Sequence, residues 1–191
     1  MAAQVLGCGR MQQLINQAHF KLPGDGVAFP WHQDSLHRRY GTNLWRDANR
    51  RGSFVELCTA IDPMSPSNGS IKVIPGSCQR GHIPVNAEDR SLPQDAFDPT
   101  DAVDIVLPAG GLFLIHPYTI HGSLPNTSDQ RRRLFLNGFA FPGANARKYP
   151  GEGSGRWVRA RRHAQRSAIL QVRGKPKPEG TEYNPGTKRL R

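Results

Sequence analysis

The chain has 191 residues, enough for one domain with a sizeable core, and its 20 Gly and 16 Pro call for many turns and short strands rather than long helices. No apolar run approaches the roughly 20 residues that a membrane-spanning helix needs, and the start MAAQVLGCGRMQQ lacks the charged segment and long apolar stretch of a secretory leader. The formal charge of +11 is lopsided, because residues 147–191 hold 13 of the 26 Lys/Arg and only 3 of the 15 Asp/Glu. A tail this basic invites a nucleic acid or an anionic surface. A merely solvated tail carries the same charge, and Trp157 and Tyr183, the aromatics of 156–191, are too few for a base-stacking platform. Cys8, Cys58 and Cys78 are odd in number and widely spaced, which suits reduced thiols of an intracellular, cytoplasmic protein.

Along the chain, β-like runs are expected at 13–21, 53–61, 71–74, 102–107, 112–116 and 133–141. Breakers separate them: LPGDG, DPMSPSNG, PGS, PAGG and LPNTSD. No window before Arg147 keeps a helical period over three turns. The pattern favours an all-β sandwich or barrel over residues 1–150, followed by a basic extension over 151–191. In that extension 155–172 is expected as a short basic helix, and 173–191, rich in Gly, Pro and Lys, as disordered. With the first strand so near the start, one sheet face is expected to lie open unless the C-terminal helix or a partner covers it.

Chemistry concentrates in Pro30-Trp31-His32-Gln33-Asp34-Ser35. On an extended strand the side chains of His32 and Asp34 share a face, so an imidazole and a carboxylate can hold one cation. A histidine from a distant strand would complete a facial triad with open positions, the arrangement that iron(II) oxygenases use. From the residues alone several histidines compete for that place. His121 follows an apolar strand and precedes a turn. His116 lies at an odd offset from it, on the other face of any regular strand. His82 reads as loop-exposed, His37 and His163 sit in polar, basic surroundings, and His19 lies on the first strand, where it is expected to face the same cavity.

Four stretches carry a further signal: FKLPGDGVAFPWHQDS, NGSIKVIPGSCQRGH, LPAGGLFLIHPYTIHGSLPNTS and RRRLFLNGFA. In order and spacing they resemble the phytanoyl-CoA dioxygenase family, which includes ectoine hydroxylase-like enzymes, over residues 14–149. The resemblance implies an all-β double-stranded β-helix, or jelly roll, with few helices, an iron(II) cofactor and 2-oxoglutarate as cosubstrate. It matches the metal ligands to His32, Asp34 and His121, and the arginine that binds 2-oxoglutarate to Arg132, eleven residues after His121. A guanidinium suits this role because its planar fork meets a carboxylate in two hydrogen bonds. If Arg132 faces inward, alternation turns Arg131 and Arg133 outward. Lys21, eleven residues before His32, matches a cosubstrate contact of ectoine hydroxylase-type members, although a strand-end lysine reaching solvent would read the same. Gln17, four residues earlier on the same face, matches a contact in some relatives and equally a satisfied core amide.

Cys78 stands where the family often has the histidine of PGSH, and the helical segment that usually precedes the first barrel strand is expected to be missing. The implied activity is hydroxylation of an unactivated C–H bond of a small organic or acyl substrate by molecular oxygen, with release of succinate and CO2. The carboxylate of Asp34 argues against a halogenase. Arg38, Arg39, Tyr40 and Trp45 are candidate lid residues, or equally ordinary loop charges and loop core. The alternatives are a catalytically inactive family member and a basic nucleic-acid-associated binding protein. Substrate identity and oligomeric state are not legible.

Overall fold

Strict alternation in one strand organises the molecule. Residues Arg132–Ala140 (β8) read RRLFLNGFA, and Arg132, Leu134, Leu136, Gly138 and Ala140 are all buried while the residues between them are half-buried. The structure, a computed structural model, describes residues 1–38, 40–43, 45–47, 52–142, 144 and 157–160. Within these, Ala2–Leu6 forms a short helix (α1), and the other strands are Arg10–Lys21 (β1), Phe29–His32 (β2), Phe54–Ala60 (β3), Lys72–Val73 (β4), Val103–Asp104 (β5), Leu112–Ile115 (β6), His121–Ser123 (β7) and Trp157–Arg159 (β9). A five-stranded sheet runs β6-β3-β8-β1-β9 and a four-stranded sheet runs β2-β7-β4-β5. Every strand pairing is antiparallel. Two curled antiparallel sheets connected in this order make a double-stranded β-helix.

Register decides which side chains meet between the sheets. Opposite β8, β1 sets Lys21 against Arg132, His19 against Leu134 and Gln17 against Leu136. On its other side β3 sets Ala60 against Leu134, Cys58 against Leu136, Glu56 against Gly138 and Phe54 against Ala140. Directly opposed residues share a face, so these side chains line one inner wall. A register shift in β1 between Gln13 and Ile15 breaks the alternation there. The extra residue lets Leu14 and Ile15 both enter a core with Phe54 and Ala140. Gly138 allows this, since a Cβ on it would lie 2.7 Å from Cδ1 of Ile15. A second core joins the sheets through Cys58, Met64, Ile71, Ile115, Leu134 and Leu136.

Three expectations need correction. The chain does not enter the sheet directly: α1 packs Ala2 and Leu6 on Met11 and Val55, covering one end of the outer face of the large sheet. Elsewhere on that face Phe20 and Leu112 remain exposed. Trp157–Arg159, expected at the start of a helix, is instead a strand paired with Arg10–Gln12 of β1, with the Arg10 guanidinium 4.1 Å above the Trp157 ring. The sheet therefore continues past residue 150. The rest of the expected helix and the expected disordered segment 173–191 lie outside the described residues, as do Arg39 and His163. No helix among the described residues is long and apolar enough to cross a membrane.

Candidate metal centre

The last residue of β2 pairs with the first of β7, so His32 and His121 stand side by side with ring centroids 4.3 Å apart. Gly122 permits this close approach, because a Cβ there would lie 2.9 Å from the Phe29 carbonyl oxygen. Each imidazole donates through Nδ1 to a backbone carbonyl two residues earlier, His32 to Pro30 at 2.7 Å and His121 to Thr119 at 2.9 Å. A carbonyl only accepts, so the proton is on Nδ1 and the Nε2 lone pair is left to bind. Asp34 completes the group, with Oδ1 3.7 Å from His32 Nε2 and Oδ2 3.9 Å from His121 Nε2. One ligand atom from each of the three lies within 4.8 Å of the others.

Asp34 reaches this position differently from the expected alternation along a strand. It begins a short 3-10 turn, Asp34–His37, after an extended Gln33. The fully buried Gln33 anchors that turn by donating to the carbonyls of Gly81 (2.9 Å) and Tyr118 (2.7 Å) and accepting from the Ile83 amide (2.8 Å).

Electrostatics suit a cation. Burial, reinforced by His121, lowers the His32 pKa to about 4 despite Asp34, so at neutral pH the ring is neutral, the form that a metal can bind. Burial pushes the Asp34 carboxyl up, but His121, His32 and Arg38 outweigh it and hold the group ionised below its usual range. Asp34 Oδ2 is buried without a hydrogen-bond partner. A buried, unsatisfied carboxylate oxygen is costly unless a cation meets it, so the three residues fit a divalent metal. Two imidazoles and one carboxylate are the donor set of non-haem iron(II) sites.

The triad faces a chamber of about 60 Å3 between the sheets, lined also by Gln17, His19, Phe29, Glu56, Ser123 and Arg132. The chamber adjoins an outer cleft of about 640 Å3 that shares Gln17, His19, Phe29, His32, Asp34 and Arg38 and adds Trp31, His37 and Arg90. At one end lie two buried cations. Arg132 is 1% exposed and Lys21 0%. Arg132 Nη2 donates to the Gly69 carbonyl at 2.9 Å, and its Nε has no partner. The Lys21 ammonium stands behind the chamber wall, donating to Ser123 Oγ at 2.8 Å and to the Leu124 carbonyl. Neither makes an ion pair among the described residues. Burial, and then Arg132 itself, lowers the Lys21 pKa to about 8, and burial lowers that of Arg132 to about 10. Arg131 and Arg133 turn outward toward Asp62, as alternation requires.

The other expected residues divide. Gln17 and His19 line both spaces, and His19 stacks on Phe29 at 5.3 Å. His82 is not loop-exposed: it is half-buried, 2.8 Å from Ser35 Oγ and stacked on Tyr40. His116 and His121 do not share a strand, since a turn intervenes and His116 Nδ1 accepts from the Tyr118 amide. Trp45 is core rather than lid, packed on Phe54. Arg38 is buried in an ion pair with Glu56 at 3.1 Å while still lining the cleft.

A model of the family described as Phytanoyl-CoA dioxygenase (PhyH) matches residues 1–134. The chain belongs to the phytanoyl-CoA dioxygenase family. It is 31% identical over 135 residues to a protein of Stutzerimonas stutzeri named "Probable alpha-ketoglutarate-dependent hypophosphite dioxygenase", covering 65% of this chain and 43% of the relative. It is 28% identical over 163 residues to an L-proline trans-4-hydroxylase of Streptomyces griseoviridis, covering 71% of this chain and 56% of the relative. The chain thus spans about half the length of the curated relatives it matches. Among solved structures it is similar to EvdO2 from Micromonospora carbonacea var. aurantiaca in complex with 2-oxoglutarate, at TM-score 0.57 and 28% identity, covering 78% of this chain and 60% of that one.

In this phytanoyl-CoA dioxygenase family member His32, Asp34 and His121 come together, and several supporting residues join them that the motifs do not point to. Gln33 lay inside the His-x-Asp motif, and Glu56 was visible as a lone acid among the inward positions Phe54, Cys58 and Ala60. Gly69 supports the cation end: at φ 76° it takes a left-handed backbone, and a Cβ there would lie 2.7 Å from the Leu124 carbonyl oxygen and 2.8 Å from Lys21 Cδ.

Proposed function

We propose that the protein is an iron(II)- and 2-oxoglutarate-dependent dioxygenase that hydroxylates an unactivated C–H bond of a small organic or acyl substrate, releasing succinate and CO2. The observation that carries this reading is the pair of buried cations, without an ion-pair partner among the described residues, at one end of a chamber whose wall holds His32, Asp34 and His121. Two cations held out of water call for an anion, and a dicarboxylate that also reaches the metal satisfies both ends of the chamber. The named activity of the Stutzerimonas relative and the 2-oxoglutarate in the EvdO2 structure support the assignment.

In this reading His32, Asp34 and His121 hold iron(II), which with 2-oxoglutarate and molecular oxygen supplies the oxidising chemistry. Arg132 grips the distal carboxylate of the cosubstrate through its planar fork. Lys21 adds charge behind Ser123, and Gln17 offers an amide to the same space. The neutral state of His32 keeps its Nε2 available at physiological pH. The outer cleft receives the substrate, and the apolar faces of Ile71, Ile115 and Leu136 keep water from the chamber floor. Cys8, Cys58 and Cys78 are all unpaired, which supports a reducing, cytoplasmic setting.

The test is succinate formation from 2-oxoglutarate across pools of candidate substrates, together with the weak visible band that iron(II) and 2-oxoglutarate develop anaerobically. Wild type should show both, and Asp34→Ala neither. Absence of the band from wild type, or an undiminished band in Asp34→Ala, sinks the proposal.

A further inference from the structure

Beside the metal triad lies a buried Arg–Glu pair that the proposed chemistry does not use. Glu56 sits on the inner face of β3 among Phe54, Cys58 and Ala60, and it is 1% exposed. Its Oε1 accepts from Arg38 Nη2 at 3.1 Å, and its carboxyl, kept protonated by burial and by the neighbouring Asp34 carboxylate, donates to the Asp34 side chain. Arg38 immediately follows the turn that Asp34 begins. The three side chains therefore form a closed circuit: Asp34 to Glu56, Glu56 to Arg38, and Arg38 back along the backbone to Asp34. The circuit ties a four-residue turn to a central strand of the large sheet.

Such a tie has a purpose at Asp34. His32 and His121 are oriented by strand pairing and by their Nδ1 hydrogen bonds, whereas Asp34 lies off the strand and has no ladder to aim it. Its Oδ2 has no hydrogen-bond partner, so the carboxylate must be held elsewhere if that oxygen is to stay turned toward His121 Nε2. An isolated carboxylate on a short turn would rotate between staggered positions. Partners one step beyond the ligands are what fix ligand orientation in metal sites, and their loss weakens metal binding about 10–100-fold.

We infer that Glu56, held in place by Arg38, is a positioning residue that orients the Asp34 carboxylate for metal binding. The inference rests on the reading that His32, Asp34 and His121 bind a divalent metal.

Co(II) titration followed by visible absorption, with melting of the metal-free protein as the folding control, tests it. Glu56→Gln can still hydrogen-bond both neighbours and should bind Co(II) within about threefold of wild type. The double variant Arg38→Met/Glu56→Leu replaces the pair with apolar side chains, a change that buried ion pairs often tolerate. It should keep its metal-free melting temperature, lose about 10–100-fold in Co(II) affinity and show an altered Co(II) spectrum. Glu56→Asp, one methylene shorter, should lose affinity in the same direction and serves if the double variant does not fold. Wild-type affinity and spectrum in the double variant, or in Glu56→Asp, overturn the inference while leaving the metal reading intact. A wild-type protein that takes up no Co(II) overturns both.

Discussion

Lys21 and Arg132 face each other in the β1–β8 register, and their chemistry makes the cosubstrate proposal testable by pH. Burial, then Arg132, brings the Lys21 pKa down from 10.5 to about 8, against a small opposing pull from Asp25. The folded value lies below the unfolded one, so the anion-free protein binds fewer protons there than the unfolded chain. Its stability should rise with pH between about 8 and 10.5 as the cost of a charged, buried Lys21 disappears. Binding of 2-oxoglutarate draws on the protonated form, so affinity should fall as pH climbs past 8. Calorimetric titrations on either side of that value check this, and Lys21→Met should flatten the slope. Arg132→Lys keeps the charge but loses the two-pronged contact, and should weaken 2-oxoglutarate binding by about tenfold or more. Gly69→Ala forces a side chain into a left-handed backbone against Leu124 and Lys21, and should cost about 1–3 kcal/mol in urea unfolding.

Among the elements, β8 carries most of the architecture. Leu134 is fully buried and sits between His19 of β1 and Ala60 of β3. Leu134→Ala should cost about 2–5 kcal/mol, measured by chemical denaturation. The strands that show in the sequence are β1, β3, β6 and β8, whose alternation runs long enough to see, and the short β4 and β5, which fall inside apolar runs bounded by breakers at 71–74 and 102–107. The ones that escape it explain themselves. β2 and β7 are four and three residues long and spend inward positions on His32, His121 and Ser123, so they carry no apolar rhythm. α1 has only five residues, too few to display a period. β9 is basic and locally ambiguous, and its extended state is set by pairing with β1. The site divides in the same way. His32, Asp34 and His121 were legible because the family motifs flank them, whereas the Asp34–Glu56–Arg38 circuit depends on where β3 falls against the turn, which neighbouring residues do not encode.

For the molecule as a whole, the candidate metal site would also be a stability device. Its residues come from β2 and the turn that follows it and from β7, far along the chain, and an ion bound only by the folded state stabilises it by mass action, by about 4 kcal/mol at a thousandfold excess over Kd. Iron(II) or Co(II) should raise the melting temperature, a chelator should return it to baseline, and Asp34→Ala should respond to neither. The chamber and the cleft have a kinetic consequence as well. They share Gln17, His19, Phe29, His32, Asp34 and Arg38, so a molecule settled in the cleft stands against the walls through which the chamber communicates. Under the proposed function, loading is then compulsory in order, with 2-oxoglutarate first and substrate second. Substrate in excess should trap the empty chamber and inhibit, and raising 2-oxoglutarate should relieve that inhibition in steady-state assays.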